Sequence, residues 1–427
     1  MSTISSASTP QWNALERIGF KLTFIYSLLY IIIQNNGAFP FWHAIIRKPT
    51  EWLHQFIPWL GNLVFDVEVT VFTGGSGDTT YDYLISFVLL IVAVLGATIW
   101  SILDKNKLDY TRLYYWLSVA VRFYVGLMLI HYGLVKVIKL QFSYPTFHRL
   151  LQAYGDSSPM GLAWTFLGFS KGYNLFMGIA EVLAGLLLFR RTLTLGAIIT
   201  LMAAANVMAV NYFYDVPVKL LSTHLVLFTV FLLSRDIKKL LTFFLTSSPV
   251  SLVPIQQPVF KKEWLKKALL GFKILLLGYI FIDGVLGAMR NEFIYGEKAP
   301  KPALYGLYKV TEFVKNDEII PSNIDDEKRW EYIVMERKAR VQVNFLNKKR
   351  MGFQSSVDTI KQKIYLTSYG EDSENYILDY EKKDSVLNVK TIFNGDTLQI
   401  KTKRLTKDDF LLTNRGFNWI SERPFNR

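Results

Sequence analysis

The chain has no cysteine in its 427 residues. That excludes disulfides, thiolate metal sites, cysteine nucleophiles and Cys-x-x-Cys redox chemistry. Histidine is scarce as well. The five are His43, His54, His131, His148 and His224, and no two stand at His-x-His or His-x-x-x-His spacing. No metal site is therefore expected. A nucleophile elbow of Gly-x-Ser-x-Gly form is missing, and Gly75-Ser76-Gly77 does not supply one. The Gly-Lys-Ser/Thr element of a phosphate-binding loop is absent. After the polar stretch 1–17 no Ala-x-Ala-like cleavage site appears, so the apolar run that follows reads as a retained span. No basic-aromatic module of a nucleic-acid reader is found either, and no nucleic-acid partner is expected.

Apolar residues are what the chain has in excess. They make up 51% of it, aromatics 15%, and the mean hydropathy is +0.22. A water-soluble chain of this length rarely averages so apolar. The surplus is uneven. Residues 1–290 hold nearly all the long apolar runs, and 298–427 read as ordinary soluble sequence. Two units follow: a transmembrane helical domain over 18–295 and a β domain over 298–427. A span needs about 20 mostly apolar residues. Seven segments qualify: 18–34, 84–103, 113–137, 173–189, 193–213, 218–234 and 265–289. Segment 41–63 differs, with Trp42, Trp52, Trp59, Pro49 and Pro58 beside Arg47 and Lys48. It suits a helix at the headgroup level or a re-entrant segment.

The net charge of +13 sits mostly beside these runs. Lys105, Lys107 and Arg112 fall in one loop, Arg190 and Arg191 in another, and Arg235, Lys238, Lys239, Lys261, Lys262, Lys266 and Lys267 in a third. The loop between the fifth and sixth spans has Asp215 and no basic residue until Lys219. The alternation predicts a multi-pass protein of the inner (cytoplasmic) membrane, with residues 1–17 cytoplasmic. An odd number of spans then puts the C-terminal domain in the periplasm.

That domain carries period-two alternation at 339–345, 359–367, 375–380, 386–393 and 397–403, after a strand opening at Gly306. Asn394-Gly395 between the last two is a two-residue hairpin signal. Leu387, Val389 and Phe393 would share a face with Leu398 and Ile400. Eight or nine strands in meander order favour a small up-and-down barrel. Phe417, Trp419 and Phe425 near the chain end read as closing it, the alternative being to rest on the bilayer.

Ionisable groups inside spans cost roughly 2.5–3.5 kcal/mol each at mid-helix, so each calls for an explanation. The third span holds Arg122, His131 and Lys136, the fourth Glu181, the fifth Asn206 and Asn211, the sixth His224 and the seventh Asp283. Counting depth along each helix brings most of these to one level and suggests a polar pocket opening outward. The plainer reading is helix-to-helix bonding, with an Arg122–Glu181 pair and a snorkelling Lys136. Before the second span, the glycine-rich run 72–83 contains Asp78, which either caps the coming helix or faces a ligand from a lid.

Arg122-Phe-Tyr-Val-Gly126 followed by His131-Tyr-Gly133-Leu-Val-Lys136 resembles the first conserved stretch of DoxX-like membrane proteins. Glu181-Val-Leu-Ala-Gly185, leading through Arg190 into Ala203-Ala-Ala-Asn206, resembles their second. The likeness covers residues 113–235, a four-helix core, and the added spans and β tail resemble larger, Bacteroidetes-type members. Gly133-Leu-Val-Lys136-Val is also distantly similar to a string in the membrane domain of vitamin K-dependent carboxylases, which implies Lys136 as a base beside a bound hydroquinone. Some DoxX relatives are subunits linked to quinone reduction. The resemblances together imply a quinone ligand and an oxidoreductase subunit. Lys136, Glu181 and His224 would do the proton chemistry, and His131, Arg122, Asn206, Asn211 and Asp78 would line the ligand. Electrons would come from a redox partner subunit. The alternative is a non-catalytic scaffold or lipid-binding protein whose outer β domain docks an envelope partner or holds an apolar ligand.

Overall fold

Asn13 starts the first helix. Its side chain accepts from the Glu16 amide, and the Glu16 carboxylate accepts from the Asn13 amide. This reciprocal cap satisfies two donors that the first turn leaves orphaned. The same device recurs at Thr79 and Asp82, ahead of the most apolar of the described helices. The computed structural model describes residues 12–72, 74–105, 107–258, 262–322, 328–370 and 373–426.

The helices are α1 (Ala14–Ile33), α2 (Trp42–Phe65), α3 (Thr80–Leu103), α4 (Thr111–Val137), α5 (Phe147–Leu151), α6 (Pro159–Phe169), α7 (Lys171–Val182), α8 (Leu193–Phe213), α9 (Lys219–Ser234), α10 (Ile237–Thr246) and α11 (Glu263–Ile294). A 3-10 segment, Leu183–Leu188, continues α7. Every expected span falls on a helix. Among the described residues α3, α4, α7 with its 3-10 extension, α8 and α11 are each long and apolar enough to cross a membrane. The pair α9 and α10 makes a sixth if it counts as one span bent by 78°. In α1 the charges of Glu16, Arg17 and Lys21 occupy the first two turns. This is a membrane protein, built as a helical bundle with a C-terminal β-barrel domain.

Chain contacts divide the molecule into two units, Met1–Phe142 with Ser158–Asn291, and Ser143–Ser157 with Glu292–Arg427. In the helical unit α4 is central. Leu117, Val121, Tyr124, Val125 and Met128 are fully buried within its core. Segment 41–63 forms one continuous helix, α2, with both prolines inside it. It docks on α3 through Leu53, Ile57, Tyr81 and Ile85, and leaves Trp52 and Trp59 exposed.

The second unit is the barrel. Its strands are β1 (Gly306–Lys315), β2 (Glu318–Ile319), β3 (Trp330–Arg337), β4 (Arg340–Phe345), β5 (Arg350–Asp358), β6 (Lys363–Ser368), β7 (Asn375–Lys383), β8 (Val386–Phe393) and β9 (Asp396–Leu405). All pairings are antiparallel, from β1 through β3 to β9, and β9 pairs back with β1 to close an up-and-down barrel. The short β2 extends β1. Phe393 pairs with Asp396, so Asn394-Gly395 is the two-residue turn expected. Both residues have positive φ, 51° and 83°, as a type I′ turn requires. Leu387, Val389, Phe393, Leu398 and Ile400 all face the interior. Tyr308, Phe313, Trp330 and Phe353 are fully buried with them. The barrel interior is thus occupied by its own side chains.

Two details depart from expectation. The loop between α4 and α6 belongs with the barrel unit, where Phe147 packs on Leu307 and Val334. Lys407 Nζ donates to Pro145 O at 2.8 Å and pairs with Glu336 at 3.1 Å. The terminal aromatics do not close the barrel. Phe417 is 78% exposed and Trp419 91%.

Candidate functional site

Two glycines place the buried charges. A Cβ on Gly133 would lie 2.7 Å from Gly178 O, and a Cβ on Gly178 would lie 2.7 Å from Gly133 O. Only glycine lets α4 and α7 cross this closely. Lys136 and Glu181 each stand three residues after one of these glycines, hence on the same helix faces. The crossing brings Lys136 Nζ to Glu181 Oε2 at 2.7 Å, with both side chains buried. The rings of Tyr132 and Phe142 lie 5.6 and 5.8 Å from the ammonium. Such a pair is stable only because each charge neutralises the other away from water.

Tyr132 has a second neighbour. It borders a cavity of about 270 Å³ lined also by Tyr30 of α1, Gln34 just after it, Asn36, Gly75–Gly77, Asp82 and Ser86 of α3, and Val218, Leu220 and Leu221. The volume suits one aromatic ring and is below the usual size of a drug-like site. Several lining groups are already engaged. Asp82 serves the Thr79 cap, Ser86 Oγ donates to Asp82 O, and Asn36 Nδ2 donates to Gln34 O and Tyr124 Oη. The Gln34 side-chain amide and the Tyr132 hydroxyl have no hydrogen-bond partner among the described residues.

His224 lies behind Tyr30. The two rings stack at 3.7 Å, and Nδ1 donates to Leu220 O at 2.7 Å. Nε2 then accepts the Tyr26 hydroxyl at 2.7 Å in the neutral ring. The cavity is therefore flanked by two buried titratable groups, each behind a tyrosine: Lys136–Glu181 behind Tyr132, and His224 behind Tyr30.

A glycine loop covers the cavity. Asp78 does act as a cap, but for α9 rather than for α3. Its carboxylate accepts from the Lys219 and Leu220 amides at 2.7 and 2.9 Å. Gly77 N donates to Pro217 O at 2.9 Å. The carboxylate is spent on the helix terminus, where charge and orphan donors favour it. From this loop Gly75, Ser76 and Gly77 border the cavity, and Asp78 does not.

Other expected residues fall elsewhere. Asn211 is buried and donates from Nδ2 to Val218 O at 3.3 Å, holding the turn between α8 and α9. His131 and Asn206 are exposed and do not line the cavity. Arg122 lies about 21 Å down α4 from Lys136, at 1.5 Å per residue. It does not pair with Glu181. Its Nε donates to Leu187 O at 2.6 Å. Tyr30, Gln34, Tyr132 and Ser86 went unnoticed in the sequence, because a tyrosine or serine in an apolar run looks like ordinary core.

No family model matches the chain, and no solved structure does. Among curated proteins, the uncharacterized protein YwoB of Bacillus subtilis (strain 168) is 39% identical over 129 residues. The match covers 30% of this chain and 78% of YwoB. The chain belongs to the YwoB family. Kinship with YwoB brings no stated activity, so the functional reading rests on the cavity and its neighbours.

Proposed function

We propose that the helical unit binds the ring of a quinone, or of another lipid-soluble redox ligand, in the cavity between α1, α3, α4 and α9. The observation that carries this reading is the pair of unengaged donors, Gln34 and Tyr132, facing one ring-sized space. A quinone offers two carbonyl oxygens to such donors. When bound it would take up two electrons and two protons to become the hydroquinone. Tyr132 and Tyr30 then stand between the ring and the groups able to hold a proton, Lys136–Glu181 and His224. The chain has no redox group of its own among its motifs, so it acts as the membrane subunit of an oxidoreductase with a separate electron donor. The DoxX-like pattern over 113–235 supports the same reading. Orientation follows the Lys and Arg loops: inner membrane, N-terminus cytoplasmic, β domain periplasmic and free to dock the redox partner.

The test is equilibrium binding of benzoquinone and naphthoquinone analogues to the purified protein. Tyr132→Phe and Gln34→Leu each remove one donor and should weaken binding by up to about tenfold. Lys136→Met and Glu181→Gln should impair it through Tyr132. Absence of saturable binding to any analogue refutes the proposal.

One observation favours a second reading, a non-catalytic scaffold: Lys136 and Glu181 neutralise each other and need no ligand. In that reading Lys136→Met changes stability alone, and function follows damage to the β domain. A filled barrel leaves docking, rather than an apolar ligand held inside, as that domain's role.

A further inference from the structure

Arg122 is 2% exposed and sits in a helix of the apolar bundle. Among the described residues no carboxylate stands within ion-pair distance of it. Its Nε reaches Leu187 O, the penultimate residue of the 3-10 segment. The next carbonyl, Leu188 O, accepts from Lys273 Nζ of α11 at 2.5 Å. The ring of Phe189 lies 4.5 Å from that ammonium and the ring of Phe123 5.9 Å. Arg190 and Arg191 follow at once and are exposed. Lys273 lies within electrostatic reach of both Arg122 and Arg190. Four cations thus gather at one helix end, and none of them has an acidic partner among the described residues.

The two carbonyls offset little of this charge. A helix C-terminus carries about half a negative charge, and the last turn exhausts it. An unmatched charge in an apolar surround costs several kcal/mol. The cluster thus carries a net positive charge that an anion would neutralise. The site also faces lipid. Phe272, Ile274 and Leu275 of α11 are exposed beside it, while the half-buried Lys273 turns its ammonium inward to Leu188 O. Apolar rings flank the ammonium, as acyl chains would require.

We propose that Arg122, Lys273 and Arg190 bind the phosphate of an anionic phospholipid at the end of the Leu183–Leu188 segment. Arg122 contributes the N–H donors that Leu187 leaves free, and Lys273 a point charge. The phosphate enters from the bilayer along α11, with its acyl chains against Phe123 and Phe189. Basic recesses between spans are known to suit such headgroups. Arg122 lies about 15 Å along α4 from Tyr132 of the ring-sized cavity, at 1.5 Å per residue, and the site stands whether or not that cavity takes a quinone.

The test uses full-length protein in phosphatidylcholine nanodiscs with and without phosphatidylglycerol, and reads co-purified lipid by native mass spectrometry. Wild type should retain phosphatidylglycerol through delipidation. Lys273→Gln and Arg190→Gln should each lower the retained fraction by about fivefold, the worth of one basic contact near a membrane. Lys382→Gln, on the barrel, should leave it unchanged. Arg122→Gln is a third variant, read only if it remains folded by circular dichroism. Equal retention in wild type and in both Lys273→Gln and Arg190→Gln overturns the site. Displacement of the lipid by inorganic phosphate at millimolar concentration assigns it to a free anion and overturns the lipid.

Discussion

Alanine at Gly178 tests whether two glycines set the distance between α4 and α7. The new Cβ would stand 2.7 Å from Gly133 O and 2.8 Å from Val137 N, both backbone atoms. Ordinary contact begins near 3.4 Å, so the helices must part by about 0.7 Å. Neither atom can rotate aside as a side chain could. A similar displacement at the neighbouring Lys136–Glu181 contact, now 2.7 Å, takes it to about 3.4 Å, beyond good hydrogen-bond length. Overpacking of this kind costs about 1–3 kcal/mol, and the loosened pair puts Gly178→Ala in the upper half of that range. Thermal unfolding in detergent, followed by circular dichroism, is the assay. Gly185→Ala is the control, since its Cβ would meet only Ile130 Cδ1 at 3.4 Å. If Gly178→Ala melts with wild type, or if Gly185→Ala is equally damaging, close approach of the two helices is not what holds the pair.

Other outcomes follow from single contacts. Lys136→Met alone and Glu181→Gln alone should each cost about 3–5 kcal/mol, and the double variant less than their sum, because the second change removes the charge the first left unpaired; a calorimetric double-mutant cycle reads this. Gly395→Ala should cost about 1 kcal/mol in chemical denaturation of the barrel, since its φ of 83° disfavours a Cβ. Asp78→Ala should cost about 1 kcal/mol as a lost cap and speed hydrogen exchange at Lys219 and Leu220. The barrel unit should also lose stability in mild acid. Burial and then the charges of Arg350 and Arg149 lower the His148 pKa, and Arg350 Nη1 donates to the neutral ring at 2.7 Å. The unfolded chain therefore takes up the proton first. The contribution of His148 is whole above about pH 6.5 and is lost as pH falls from there through the folded value. Hydrogen exchange in β5 should show the loss, and His148→Gln should abolish it.

Much of the architecture could be read from residue pattern alone, for a physical reason in each case. Apolar length betrays spans because the bilayer fixes it: all seven segments landed on helices, and five of these, or six with the bent α9–α10 pair, are long and apolar enough to cross a membrane. Asn394-Gly395 fixed one hairpin because few dipeptides tolerate two positive φ values. Strands β3 and β5 were harder. Bulges interrupt the pairing of Trp330–Arg337, and Gly352, Ser355 and Ser356 dilute the alternation of β5.

The site was legible in depth and not in direction. Lys136, Glu181, His224, Asn211 and Asp78 do lie toward one end of the bundle. Which way each residue faces was hidden, because in an apolar helix neither lipid nor core marks a polar face. His131 and Asn206 consequently turn out exposed. Arg122 shares α4 with Lys136, yet in a helix of 27 residues it stands near the middle and Lys136 at the end. The Gly133–Gly178 crossing, by contrast, was present in the residue string: each glycine precedes its charge by one turn.

The most direct measurement is photoaffinity labelling of the full-length protein with an azido-benzoquinone, the adducts mapped by mass spectrometry. The account predicts saturable labelling confined to Tyr30–Asn36, Gly75–Ser86, Tyr132 and Val218–Leu221, competed by unlabelled quinone and lost in the Gln34→Leu, Tyr132→Phe double variant. Labelling spread along the outward face of α11, or unaffected by competitor, would contradict it.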